Sequence, residues 1–203
     1  MDQKPFQSVD LSSETQDLNH WIKKLSYRQG EFTLSSGRKS SFYIDLKATT
    51  LHPEGIFKIS SLMVDRILKL GLSIEAVGGL TLGADPLVTG VSLEGLKRGR
   101  HWPAIIVRKE PKAHGAHGTQ GIAPYLEGDQ NLQPGAAILV LEDVVTTGGS
   151  SIQAIQRLRQ AGFHPLAVFT VVDREEGGAQ EIRKQGVEFF ALTTLAQIQN
   201  TSL

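Results

Sequence analysis

The sequence predicts an α/β fold, an open parallel twisted sheet with helices on both faces. Three observations carry the prediction. From residue 53 onward, apolar residues fall by turns at helical and at strand spacing. Strands alternating with helices imply a parallel sheet covered on both sides. Residues 137–141, AILVL, are as apolar as a central parallel strand needs to be. The length of 203 residues gives one well-cored domain and is too short for two ordinary ones, so residues 1–203 are read as a single domain.

The elements follow in order. Residues 12–26 read as an amphipathic helix, with Ser13 and Gln16 as a capping pair and Leu18, Trp21, Ile22 and Leu25 on one face. Gly30 closes this unit. Two extended runs, residues 31–34 and 41–46, flank the turn Ser35-Ser36-Gly37, and Phe42 and Ile44 alternate with Tyr43 and Asp45. Pro53 suits the first turn of a helix whose apolar face is Ile56, Ile59, Met63, Ile67 and Leu70, stopped by Gly71. A buried strand at 76–80, a helix from Gly83 toward Glu94, and strands at 104–107 and 137–141 come next. A helix at 150–161 turns Ile152, Ile155 and Leu158 inward. A strand at 166–172, a short helix at 179–184, a strand at 187–191 and a final helix complete the chain. Residues 109–134 fit neither pattern: apolar residues are few, glycines many, and the start is basic. A structureless loop of this length within a compact domain is generally functional or disordered.

Composition excludes several classes. Lys plus Arg number 21 and Asp plus Glu 21, so the net charge is zero. That argues against a protein that coats nucleic acid, since counterion release needs an excess of basic side chains. With no cysteine, disulfides, thiolate nucleophiles and cysteine-ligated zinc are ruled out. The start, MDQKPFQSVD, lacks a basic segment followed by an apolar run, and no apolar stretch approaches the roughly 20 residues of a bilayer span. The expectation is a cytoplasmic protein with no membrane partner. His52, His101, His117 and His164 have no partners at metal-ligand spacing. His114 and His117 stand at a helical spacing, but the glycines around them oppose a rigid helix.

The most informative stretch is AILVLEDVVTTGGSS. A buried strand ending at Leu141 is followed at once by Glu142 and Asp143. Thr146, Thr147, Gly148, Gly149 and Ser150 then lead into a helix. In open parallel sheets ligands bind beyond the carboxyl ends of the strands. A small-residue turn at a helix N-terminus offers unpaired N–H groups and a positive dipole end to an anion. The two carboxylates repel a phosphate but suit sugar hydroxyls or a metal beside it. No Walker lysine is present, which argues against an NTPase.

This stretch resembles the signature with which the type I phosphoribosyltransferases bind phosphoribosyl pyrophosphate (PRPP). Three further segments resemble the orotate branch of that family: FTLSSGRKSSFYIDLK (residues 32–47), RKEPKAHG (108–115) and VVDREEGG (171–178). VGGLTLGADPLV (77–88) matches the family's pyrophosphate loop. The resemblance spans about residues 20–195. It implies a small N-terminal segment, about residues 12–50, forming a hood over the carboxyl ends of the strands. It implies a mobile lid at about 108–134 that reaches the neighbouring subunit's site, and hence a homodimer. PRPP is expected on Arg108, Lys109, Lys112, His114, Glu142, Asp143, Val144, Val145, Thr146, Thr147, Gly148, Gly149 and Ser150. Orotate is expected on Phe42, Tyr43, Thr146 and Arg174, and Lys112 and Asp143 carry the catalytic roles. Magnesium is the implied cofactor, held mainly through PRPP rather than by protein ligands. The implied reaction gives orotidine 5′-monophosphate and pyrophosphate, in the synthesis of UMP. Some members of this branch have lysines where Ser35 and Thr81 stand here, which leaves fewer fixed cations for pyrophosphate. The lid is also longer than usual. The rivals are a phosphoribosyltransferase for another base and a non-catalytic regulator that senses PRPP.

Overall fold

The computed structural model describes residues 13–33, 39–112 and 124–202. Helix α1 (Ser13–Leu25) leads into an antiparallel ribbon of β1 (Tyr27–Thr33) and β2 (Lys39–Ile44). Leu18 and Ile22 of α1 are fully buried, as the helical spacing predicts, whereas Trp21 and Leu25 sit at its margin. Gly30 does not end the unit. It lies inside β1 at φ 154°, where the register to β2 slips between Gln29 and Phe32. A bulge with a glycine backbone continues the strand that sequence spacing had broken. One helical turn, α2 (Lys47–Thr50), follows.

The α/β unit then begins with α3 (Pro53–Lys69), β3 (Ala76–Leu80), α4 (Asp85–Lys97) and β4 (Ala104–Val107). After β4 come β5 (Leu126–Glu127), β6 (Ala137–Val145), α5 (Gly149–Gln160) and β7 (His164–Asp173). The chain closes with α6 (Gly178–Arg183), β8 (Glu188–Thr194) and α7 (Leu195–Asn200). The sheet order is β5-β4-β3-β6-β7-β8, parallel except for the short edge strand β5. Alternate residues of each strand feed two cores. Val77, Leu139, Leu141 and Phe169 pack under α1, α3 and α4; Ala76, Ile138, Val140 and Val168 pack under α5 and α6. The predicted α/β class and its two covered faces are borne out.

Two further segments differ from the sequence reading. Strand β6 runs to Val145 rather than stopping at Leu141, so Glu142 and Asp143 belong to the strand. The ten-residue β7 supplies the reason: it offers ladder partners to Glu142, Val144 and Val145 at Thr170, Val172 and Asp173. The segment 108–134 is not structureless over its described parts. Arg108 and Lys112 donate their amides to the carbonyls of Tyr125 (2.8 Å) and Pro124 (2.9 Å), and Leu126–Glu127 pairs with β4.

The connections place the site. From β3 the chain steps outward to β4, then crosses back to β6 and steps the other way to β7 and β8. The strand order therefore reverses between β3 and β6, the point at which open α/β sheets leave a crevice for ligands. The loops following β3 and β6 open on that crevice. At its base the packing is close: a Cβ on Gly79 of β3 would lie 2.3 Å from the Ala84 Cβ and 2.5 Å from the carbonyl oxygen of Leu141 in β6.

Candidate active site

A cavity of about 180 Å³ sits at the end of β6, lined by Glu142, Val144–Gly149 and the serines 150 and 151. Sites for whole drug-sized ligands run to roughly 300–1,000 Å³, so this one fits a single group such as a phosphate. No side chain caps α5, and Gly148 before it stands at φ 83°. The first N–H groups of α5 thus lack intrahelical acceptors and are left for an anion. The curl of the turn depends on close backbone packing. A Cβ on Gly178 would meet the Val145 Cγ1 at 2.5 Å and the Thr146 oxygen at 2.6 Å, and Gly178 donates its amide to that same oxygen at 3.0 Å. Gly149 faces open space. Thr147, Gly149 and Ser150 are exposed, Thr146 is half-buried, and Val145 and Gly148 are buried beneath them.

The two acids occupy different environments. Glu142 is 5 % exposed and accepts a hydrogen bond from the Ser151 hydroxyl at 3.0 Å. Burial, and then the neighbouring Asp143 charge, push its carboxyl up to about 8. Asp143 is half-buried. Its carboxylate accepts the Val144 amide at 2.8 Å and would lie 2.7 Å from a Cβ on Gly83, so the loop after β3 rests directly on it. Lys47, at the foot of the N-terminal ribbon, is raised above the ordinary lysine value by its hydrogen bond to Asp45, against desolvation, with Asp143 adding to the field. In that loop the Thr81–Leu82 peptide is cis, and the Thr81 hydroxyl donates to Asp85 at 2.7 Å.

The raised Glu142 value has a consequence for stability. Between the usual glutamate value of 4.5 and about 8, the unfolded chain has released this proton and the folded chain retains it. The stability of the unliganded protein therefore falls as pH rises through that window. Glu142→Gln, neutral in both states, is expected to melt progressively higher than the parent as pH goes from 5 to 8. Thermal melts at both pH values check this; a gap between the two proteins that is independent of pH contradicts it.

On the other side of the crevice, Arg174 follows β7 and donates its amide to the Val145 carbonyl at 2.9 Å. Its guanidinium lies 5.0 Å from the centre of the Phe42 ring. The ribbon thus brings together two residues expected at the base pocket. Its side chain is 12 % exposed and pairs with Glu176 at 2.5 Å, while its Nε–H is buried without an acceptor. Tyr43 is not part of this group. It alternates away from Phe42 along β2, is 41 % exposed, and sits against Phe32 with ring centres 5.6 Å apart. Phe42 instead stacks on Tyr27 at 6.0 Å.

The basic stretch is held at the sheet edge. Lys112 and Arg108 both pair with Glu127, at 2.9 and 3.0 Å. The Lys109 carbonyl accepts a 2.6 Å hydrogen bond from Arg157, whose guanidinium also covers the Tyr125 ring at 4.2 Å. His114 and Ser35 lie outside the described residues, as does the middle of the expected lid. The sequence reading missed Ser151, Glu127, Gly83 and Lys47. Ser151, Gly83 and Lys47 fall inside the segments singled out at 137–151, 77–88 and 32–47, but nothing local assigned them a role.

The donors at the crevice are hard oxygens from carboxylates and hydroxyls, a set that suits magnesium. Among the described residues no three His, Cys, Asp or Glu side chains gather into a metal cage.

No family model matches the chain. A curated relative, the orotate phosphoribosyltransferase of Nostoc sp., is 43 % identical over 192 residues, covering 95 % of this chain and 88 % of its own. That of Aquifex aeolicus is 39 % identical over 191 residues, covering 93 % of this chain and 99 % of its own. Among solved structures, Mycobacterium tuberculosis orotate phosphoribosyltransferase superposes with a TM-score of 0.77 at 35 % identity, covering 91 % of this chain and 98 % of that one.

Proposed function

The chain belongs to the orotate phosphoribosyltransferase family, and from that premise we propose that it transfers ribose 5-phosphate from PRPP to orotate, giving orotidine 5′-monophosphate and pyrophosphate. One observation carries the assignment of parts: an uncapped helix N-terminus and two acids share one crevice, with an arginine lying over an aromatic ring beside it.

In this reading the 5-phosphate sits in the turn from Val145 to Ser150, and the ribose hydroxyls donate to Asp143 and Glu142. Ribose hydroxyls donating to the Glu142 carboxyl favour its ionised form, so PRPP binding is expected to release a proton where burial makes the free site hold one. The bond between the anomeric carbon and pyrophosphate breaks, the ring gains positive charge, an orotate ring nitrogen forms the new bond to that carbon, and its N–H proton leaves with the pyrophosphate. Asp143 and Glu142 favour the positive ring. Arg108, Lys109, Lys112 and His114 favour the departing pyrophosphate. Such preorganised charge is usually the largest catalytic contribution. PRPP oxygens, with Asp143 beside them, would hold magnesium, which would supply further charge to neutralise the pyrophosphate. Arg174 holds the orotate carboxylate in a fork that lysine does not reproduce, and Phe42 and Thr146 border the base.

A homodimer belongs to the same reading. Phe57 and Leu93 are 58 % and 59 % exposed and line one groove between α3 and α4, an apolar face suited to a second copy. The basic segment would then serve the partner's crevice. A cytoplasmic location belongs to the same reading. The deciding experiment is the loss of orotate absorbance on adding PRPP, with and without magnesium, beside parallel assays with adenine and hypoxanthine. Magnesium-dependent consumption of orotate alone is expected. Consumption of a purine instead would move the chain to another branch.

A further inference from the structure

We propose that Glu127 is a positioning residue for this reaction, holding Lys112 and Arg108 together in the unliganded protein and yielding them to the pyrophosphate group of PRPP. The inference rests on the function proposed above and adds to it a residue that the basic motif does not contain.

The arrangement resembles a small anion already bound. One carboxylate uses both oxygens, Oε1 toward Arg108 Nη1 at 3.0 Å and Oε2 toward Lys112 Nζ at 2.9 Å. Hydrogen bonding from Lys112, then from Arg108, keeps this carboxyl below the usual glutamate range, so it is ionised at neutral pH. Glu127 is anchored by its strand, and its two partners, whose backbones are also held, can part from it through their side chains. Its strand pairs Glu127 with Ile106 and Leu126 with Val107, and Leu126 is fully buried. Gly128 follows at φ 86°, so close to β4 that a Cβ would stand 2.4 Å from the Ala104 carbonyl oxygen. Lys112 and Arg108 are long side chains able to swing away from a fixed carboxylate. Glu127 is 43 % exposed, so the pairs open to solvent without dismantling a core.

The charges favour exchange. Two cations against one carboxylate leave the cluster with one net positive charge, which still attracts a polyanion. Pyrophosphate, carrying several negative charges, competes well against a single glutamate. Meanwhile the pairing keeps two like charges from repelling each other and fixes them near their working positions.

Glutamine at this position keeps the shape and removes the competitor. Exposed pairs are individually weak, so releasing two of them is expected to tighten pyrophosphate binding roughly three- to ten-fold. Calorimetric titration of the intact protein, in magnesium buffer, compares E127Q with the parent using two probes. Pyrophosphate is expected to bind E127Q more tightly, and ribose 5-phosphate, which engages the turn at the end of β6, to bind both proteins equally. In a K112Q background the gain from E127Q is expected to shrink, because one of the released cations is already gone. Unchanged or weaker pyrophosphate binding by E127Q, with ribose 5-phosphate still bound, overturns the role of Glu127. A gain of full size in the K112Q background overturns the pairing with Lys112. Failure of ribose 5-phosphate to bind the parent overturns the phosphate turn instead. A purely structural Glu127 gives no gain with either probe, which E127D, retaining the charge on a shorter stem, tests a second time: a tightening there as large as in E127Q contradicts exchange of charge.

Discussion

Lys112→Ala lowers turnover by a factor of about 100 or more, the usual cost of removing one strong electrostatic donor from a transition state. The size of the loss distinguishes chemistry from folding. The described partner of Lys112 is Glu127, in a pair whose side chains are 20 % and 43 % exposed. Such a pair contributes about 0–1 kcal/mol to stability, so the variant melts within a few degrees of the parent. Binding of ribose 5-phosphate stays unchanged, since that ligand meets the turn at the end of β6 rather than the basic segment. Steady-state kinetics beside thermal melts make the test. Turnover within a few-fold of the parent removes Lys112 from the catalytic machinery.

Arg174→Met is expected to cut kcat/KM for orotate by roughly 30- to 1,000-fold, the range for truncating one partner of a desolvated charge pair, with KM for PRPP moving about three-fold or less. Three features lead to this. The side chain is 12 % exposed, it lies against Phe42, and its Nε–H is buried without an acceptor. A buried donor with no partner is costly unless a ligand completes it. A planar carboxylate beside a planar ring meets both needs. Met retains the packing against Phe42 and removes the fork together with the pair to Glu176. An equal loss for PRPP and orotate would place Arg174 in general site architecture rather than in base recognition.

Much of this was legible in the sequence because the signals were local. The run AILVL, the glycine stop at Gly71 and the Thr-Thr-Gly-Gly-Ser turn each state their structure within a few residues. What escaped depended on distant partners. Glu142 and Asp143 read as the end of a strand because carboxylates rarely occupy a central ladder, yet β7 is long enough to carry β6 past them. β5 is two residues long, too short to show any period, and only its pairing with β4 reveals it. Glu127 was invisible as a partner for the same reason, standing 15 residues from Lys112 across the fold of the segment. The ribbon was found but its bounds were not, because Gly30 marks a bulge rather than a stop. Tyr43 was grouped with Phe42 on the family resemblance, although the alternation along β2 turns the two to opposite faces.

The central claim is that the turn at the end of β6 grips the phosphate of a phosphorylated sugar. Backbone amide chemical shifts, recorded by NMR while ribose 5-phosphate and then plain ribose are titrated into the protein, test it most directly. The account predicts that ribose 5-phosphate shifts the amides of residues 146–151 most strongly and that ribose without its phosphate leaves them in place. Shifts that spare those amides, or that are the same for both sugars, would contradict it.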